Sequence, residues 1–425
     1  MSSIYTSGDG AVPPVLAGRD ELLRRLLLGL NSAATVGRSR AEDIVLIGPT
    51  GVGKTATLAA YTVMAETGGF EVVQLHAAAD RFSLTKSLAQ HAAMGIEGIA
   101  DVDSQTLAAA LAKVADNVRG DKPHGGLLVT FDDLHLAAPA DLQLLTDTLS
   151  CLSAEHPEAA VAFAGAGTPR LKELLKTSGV VAPNGPLTLE QLPVVLPLAD
   201  AMYGIVEPAR RIGVSWHPQA LATLMSASNR YPVLLQVYAD AIWAQADGAH
   251  LIDSDHAEAG VPIGTAEIFG SRLGSRWDQL SDPEREYLAA LAISGGQAPN
   301  MAITNTLGRR SGYDFVKLRD GLIDAGDIYA PRPGHAAFCV PAFGPFILER
   351  YEAAREGADT ELLSLAEMSQ NKQPTSASRP TAKPAPASDP ADAAPPPPPS
   401  QDSPPAAPKL PPRRRWNRRR GTEDN

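Results

Sequence analysis

The stretch Gly48-Pro49-Thr50-Gly51-Val52-Gly53-Lys54-Thr55 limits the folds open to this chain more than any other. It fits the spacing GxxxxGK[ST] and stands between an apolar run, Ile44–Ile47, and an Ala- and Leu-rich segment of helical pattern, Lys54–Glu66. In that strand-to-helix context the glycines let backbone N–H groups turn inward, and the helix start adds about half a positive charge. The turn is therefore shaped to hold an anion, phosphate above all.

The surrounding pattern supplies the sheet that such a turn needs. Strand-like runs at Ile44–Ile47, Phe70–Leu75, Leu127–Phe131, Val161–Ala164 and Leu187–Leu189 alternate with helical patterns. Those helices are predicted over Asp20–Leu30, Lys54–Glu66, Leu84–Ala93, Gln105–Val118 and Ala140–Leu152. The strands read as continuous apolar runs, as expected when helices cover both faces of a parallel sheet. The fold class is thus α/β, with the parallel sheet of a P-loop NTPase.

At 425 residues the chain has room for two or three domains at about 100–200 residues each. No run approaches the ~18 apolar residues of a membrane span, and the N-terminus lacks the basic-then-apolar pattern of a secretory signal. Two cysteines, Cys151 and Cys339, make neither a disulfide framework nor a metal cluster, so a cytoplasmic setting is the expectation. The net charge of −11 is unevenly spread, because residues 371–425 carry ten Lys/Arg against five Asp/Glu, leaving −16 on the first 370. An acidic body argues against broad adhesion to nucleic acid.

The loop residues Gly48 to Thr55, with Ala56, are the expected nucleotide-binding set. Lys54 is expected to face solvent and to reach the β- and γ-phosphates, and the Thr55 hydroxyl to ligate Mg²⁺. A second signal is Gly126-Leu-Leu-Val-Thr-Phe-Asp132-Asp133, an apolar run ending in two carboxylates. In an open parallel sheet both emerge at the strand's C-terminal edge, beside the phosphate loop. Asp132 is then placed to hold Mg²⁺ and Asp133 to polarise an attacking water, with helix capping the alternative role for the pair.

These residues, with Leu16-Ala-Gly-Arg19-Asp-Glu-Leu before the loop and Val129-Thr-Phe-Asp-Asp-Leu-His135-Leu136 after it, resemble the ATPase module of origin-recognition-complex-like AAA+ proteins and STAND NTPases. The resemblance runs from about Leu16 to Tyr351, and it implies ATP and Mg²⁺ as cofactors. It departs from the STAND pattern at Leu136, which replaces a Trp, while His135 matches that pattern or else caps the next helix. The resemblance also implies a sensor residue at Thr168, after Ala162-Phe-Ala-Gly-Ala-Gly167, and a lid element at Ser228-Asn-Arg-Tyr-Pro232 whose Pro232 lies near the base. Arg230 is either a phosphate sensor or a helix-end cation, and Arg170 either a finger acting on a neighbouring copy or a surface residue.

From Ala199 to Asp247 the pattern is helical, followed by an irregular stretch, His250–Gly264. Helices are then predicted from Ser281 to Leu291, over Pro299–Leu307 and over Gly312–Ala325, with a hairpin over 328–340. That order is a winged helix. Residues 281–351 carry seven Lys/Arg and eight Asp/Glu, poor for gripping a duplex, although Arg309, Arg310, Lys317, Arg319 and Arg332 offer local cations. Residues 371–425 hold fifteen prolines with little apolar content and end in Arg413-Arg-Arg-Trp416-Asn-Arg-Arg-Arg420, the composition of a disordered basic tail.

The organisation expected is a flexible N-terminus (1–15), a P-loop core (16–198), a helical lid (199–262), a winged helix (263–351) and a disordered tail (352–425). The function expected is that of an ATP-binding, Mg²⁺-dependent ATPase switch controlling engagement of DNA or a protein partner, with oligomer formation open. DNA would be met through the winged helix and Arg413–Arg420. The alternatives are a DNA-associated ATPase and an ATP-binding scaffold without hydrolysis.

Overall fold

Alternate residues of the strand before the glycine-rich loop point into two different cores. In β1 (Asp43–Ile47), Ile44 and Leu46 pack with Leu26, Leu30, Leu58 and Tyr61, while Val45 and Ile47 pack with Leu107, Leu111, Leu145 and Leu149. A strand buried on both faces has no polar side to show, which is why its sequence is an unbroken apolar run. The computed structural model describes residues 3–6, 12–38, 42–77, 103–177, 187–307, 313–340 and 343–356.

With β1 run β2 (Glu71–His76), β3 (Leu127–Asp132), β4 (Val161–Gly167) and β5 (Leu187–Gln191), all parallel, in the order β2-β3-β4-β1-β5. Helices α1 (Asp20–Val36) and α2 (Lys54–Thr67) pack in the first core, and α3 (Ser104–Asp121), α4 (Pro139–Glu155) and α5 (Arg170–Thr177) in the second. The five predicted strands and four of the five predicted helices of this region are present. The segment Leu84–Ala93 lies outside the described residues. Because β4 sits between β1 and β3, the loops leaving these three strands arrive side by side at one edge.

A helical region follows, built from α6 (Leu198–Arg211), α7 (Pro218–Ser228), α8 (Pro232–Ala246) and α9 (Ser254–Glu267). A two-residue parallel pair, β6 (Ser215–Trp216) and β7 (Leu251–Ile252), ties it together. The irregular stretch expected over 250–264 is instead α9, capped by Asp253, whose carboxylate accepts from the amides of Asp255 and His256. Gly260 and Pro262 lower helix propensity locally, and tertiary packing overrides it. A Cβ on Gly260 would lie 2.6 Å from the backbone of Ile242, so glycine is needed for α9 to press against α8.

The C-terminal module begins with a π-helical turn, Ile268–Leu273, and α10 (Gly274–Gln279). It continues through α11 (Asp282–Ile293), β8 (Gln297–Pro299), α12 (Asn300–Thr306), α13 (Tyr313–Ala325), β9 (Ile328–Tyr329), β10 (His335–Phe338) and α14 (Phe343–Glu356). The three helices and the hairpin stand where the sequence predicted them. A third antiparallel strand, β8, and the closing helix α14 were not foreseen; β8 is only three residues long, too short for its alternation to stand out in the sequence. Ser281 and Glu284 form a capping box at the start of α11, with the Ser281 amide donating to Glu284 at 2.8 Å.

The N-terminus also departs from expectation. Within residues 3–6, predicted to be flexible, Tyr5 is buried against Trp216 and Trp243. Arg309, Arg310 and the tail with Arg413–Arg420 lie outside the described residues. Among the described residues no helix is long and apolar enough to cross a membrane.

Candidate nucleotide site

The glycine-rich loop is held open by its carbonyl groups. Lys54 Nζ donates to Gly48 O at 2.9 Å and to Pro49 O at 3.0 Å, and the Tyr231 hydroxyl donates to Thr50 O. The Val233 amide donates to Gly51 O at 3.1 Å, Arg19 Nη2 to Val52 O at 3.0 Å, and the Thr57 amide to Gly53 O at 3.0 Å. Six successive carbonyls are thus engaged, while among the described residues nothing accepts from the amides of Thr50, Gly51, Val52 or Gly53. A row of unpaired N–H groups at a helix start is an anion nest. Gly51 has φ of +89°, and a Cβ there would lie 2.8 Å from Val233, so only glycine serves at this position.

Lys54 does not face solvent as expected. It is buried, folded back on the two loop carbonyls. Burial pushes its ammonium below the ordinary lysine range, opposed by the charges of Asp132, Asp133 and Asp324. A bound phosphate offers that ammonium a full counter-charge in place of two carbonyl dipoles.

Asp132 and Asp133 split their tasks through backbone geometry. Thr55 Oγ1 donates to Asp132 Oδ2 at 2.6 Å, and the Asp133 amide donates to Asp132 Oδ1 at 2.9 Å. Asp132 is therefore buried and fixed. Asp133 takes the left-handed conformation, φ +56°, a strained state for a non-glycine residue that turns its half-exposed carboxylate into the cleft. The Thr55 hydroxyl and the Asp132 carboxylate are hard oxygen donors set side by side, the donor type Mg²⁺ prefers. Among the described residues no three His, Cys, Asp or Glu side chains converge on a metal position, so other ligands would have to come from phosphate and water.

Thr168 follows β4 directly, next to the loop, since the Gly48 amide donates to Gly167 O at 3.2 Å. Its hydroxyl is buried, lines the cleft and has no partner. His135 also lines the cleft, with Nδ1 buried and unpartnered and 4.0 Å from Asp133 Oδ1. Burial lowers its pKa, favouring the neutral ring. It does not cap the next helix, which starts at Pro139 without a side-chain cap.

The cleft encloses about 510 Å³ between the loop, Thr168 and the helical region. Gly51, Val52, Gly53, Lys54, Thr55 and Ala56 line it, as does Pro232 from α8. Gly48, Pro49 and Asp132 do not; they hold Lys54 and Thr55, which do. The far part is apolar, with Leu16, Ala17, Leu196, Ile205 and Val233. Arg230 does not line this cleft: its guanidinium donates to Leu196 O at 3.2 Å, in keeping with the helix-end alternative. Arg170 is exposed at the start of α5, where its amide donates to Asp324 Oδ1 at 2.8 Å. Arg19 and Tyr231, which sequence reading left without a role, both brace the loop; each makes a contact distant in sequence that no local pattern announces.

An anion nest, a lysine beneath it, a Thr–Asp pair beside it and an apolar chamber next door define the nucleoside-triphosphate site of a P-loop ATPase. Comparison narrows the class. Residues 15–161 match the family model described as AAA ATPase domain, and residues 271–347 match one described only as a domain of unknown function, DUF8462. The chain thus carries an AAA ATPase domain, on the α/β fold of origin-recognition-type ATPases. It is similar in structure to the Aeropyrum pernix ORC2 protein, solved as ADPNP–ADP complexes, at 13% identity and a TM-score of 0.53 over 87% of this chain and 99% of that one. It is also similar to a Walker-type ATPase of Pyrococcus abyssi, at 11% identity and a TM-score of 0.51 over 78% and 96% of the two chains. None of the curated proteins matches.

Proposed function

We propose that this protein is a Mg²⁺-dependent ATPase whose nucleotide state switches the engagement of a partner. The observation that carries the reading is the 2.6 Å bond from Thr55 to Asp132 directly beside a loop of unpaired amides. Thr55 and Asp132 are the residues that would hold Mg²⁺, which would offset the charge of the phosphates. Lys54 neutralises the β- and γ-phosphates. Asp133 accepts from and orients the attacking water, and the Thr168 hydroxyl donates to that water or to the γ-phosphate.

The switch part rests on where the loop is braced. Thr50 and Gly51 bond to Tyr231 and Val233, which belong to the region we read as the lid, 199–262. Gly326, in the region we read as a winged helix, 263–351, sits so close that a Cβ there would lie 2.9 Å from Thr50 O. A phosphate that draws Lys54 away from Gly48 and Pro49 therefore disturbs a loop that two other regions hold. The solvent face of α13 presents Val316, Lys317 and Asp320, without excess positive charge, which favours a protein partner for this module. DNA engagement rests instead on Arg413–Arg420, as a second reading.

Turnover of ATP by the full chain, measured with and without Mg²⁺ and with and without duplex DNA, tests this. Mg²⁺-dependent turnover absent from Lys54→Ala supports the ATPase. Binding without turnover leaves the scaffold alternative, and no binding overturns the assignment. Stimulation by DNA that falls steeply with salt, and is lost on removing 371–425, selects the second reading.

A further inference from the structure

The C-terminal module reaches the phosphate end of the cleft with an acid. Asp324, in the last turn of α13, accepts from the Arg170 amide at 2.8 Å. Arg170 opens α5 two residues after Thr168, whose unpaired hydroxyl lines the cleft. Asp324 does not line the cleft itself, yet its charge is felt at Lys54, which does. Asp324 is half-buried, so its field is screened less than that of a charge in open water, and Asp320, one turn earlier on α13, adds like charge beside it. Of the three carboxylates that act on Lys54, Asp132 and Asp133 have tasks in the proposed reaction. Asp324 has none.

Two further contacts join the module to the loop and the lid. Gly326 stands against the loop, where a Cβ would lie 2.9 Å from Thr50 O and 3.3 Å from the Tyr231 hydroxyl. Asn229 Nδ2 donates to the Tyr329 hydroxyl at 3.4 Å. Asn229 and Arg230 are consecutive non-glycine residues in the left-handed conformation, at φ of +48° and +55°, just before α8. Strain of that kind gathers at switch regions.

We propose that Asp324 makes the docked protein discriminate between nucleoside diphosphate and triphosphate, in favour of the diphosphate. A triphosphate brings one negative charge more, at the end of the cleft where Lys54 and Thr168 lie. Near a carboxylate that the docked module holds in place, that charge is repelled, whereas a diphosphate stops short of it. The repulsion also acts in return and weakens the hold of Asp324 on the Arg170 amide, because coupling between two sites is reciprocal. Diphosphate thus keeps the C-terminal module docked and triphosphate loosens it. The γ-phosphate alone supplies the differential affinity that any ligand-driven shift requires. This proposal rests on the nucleotide-binding reading above and deepens it, naming the direction of the switch and the residue that sets it.

Calorimetric titration of the full chain with ADP and with the non-hydrolysable ADPNP, both with Mg²⁺, tests it, together with hydrogen exchange at the Arg170 amide. Wild-type protein should bind ADP about tenfold more tightly than ADPNP, and the Arg170 amide should exchange several-fold faster with ADPNP bound than with ADP. Asp324→Asn keeps the shape and an acceptor oxygen for that amide but removes the charge. It should bring the affinity ratio close to one and the two exchange rates together. Equal wild-type affinities overturn the proposal and leave the phosphate site standing, and so does an ADP preference that survives in Asp324→Asn. Equal exchange at Arg170 in the wild type overturns it too, a result that needs no variant and stands even where the substitution impairs folding. Binding of neither nucleotide by the wild type overturns the phosphate site and this proposal together.

Discussion

The two edges of the central sheet handle polar groups in opposite ways. At the N-terminal edge, Asp43 and Arg38 are both buried, and Arg38 Nη1 donates to Asp43 Oδ1 at 2.6 Å and to Val161 O at 3.0 Å. Arg38 Nη2 pairs with Asp43 Oδ2, and the Phe163 amide donates to Asp43 Oδ1 at 3.0 Å, so that only Arg38 Nε lacks a partner. At the C-terminal edge, Thr168 and His135 keep unpaired buried atoms, Asp133 sits in a strained backbone state, and Lys54 rests on carbonyls instead of a carboxylate. One edge is closed on itself and the other is left incomplete. At the incomplete edge the proposed ligand would find polar groups still to be paired, each of them costly to bury alone.

The comparison predicts that substitutions at the two edges separate stability from activity. Asp43→Ala should have the largest effect on stability, about 3–5 kcal/mol lost, since it strands the buried Arg38 charge. Chemical denaturation would read that loss, and a change under 1 kcal/mol would break the contrast. Lys54→Ala should shift stability by no more than about 1 kcal/mol, as the desolvation of a buried ammonium offsets its two hydrogen bonds. It should nevertheless remove measurable ATP binding in a calorimetric titration.

Asp133→Asn should leave ATP affinity near wild type while slowing turnover by about 10²- to 10⁴-fold, as general-base losses do. Turnover at the wild-type rate would assign Asp133 a structural task and place the base elsewhere. The smallest effect on the fold is expected for Thr168→Val, which removes an unpaired hydroxyl at constant shape. Stability should hold or rise slightly, by under about 1 kcal/mol, while single-turnover hydrolysis falls. A variant that is less stable and hydrolyses normally would make Thr168 an ordinary core residue.

The sequence alone determined those parts in which the chemistry is local. Five apolar runs set out the sheet, and the spacing of Gly48 to Thr55 with the carboxylates after β3 set out the phosphate end of the proposed site, because turn geometry and strand burial leave their mark within a few residues. Helix α9 escaped, since Gly260 and Pro262 read as breakers until the nearness of Ile242 explains the glycine. The tertiary structure decided which distant atoms complete the site. Tyr231 on Thr50, Arg19 on Val52 and Gly326 against the loop join residues up to 276 positions apart. It also settled that Lys54 is buried and that Arg230 turns away to Leu196. A side chain's partner across such a span depends on how the layers pack, and packing is a property of the whole chain that no short window of sequence contains.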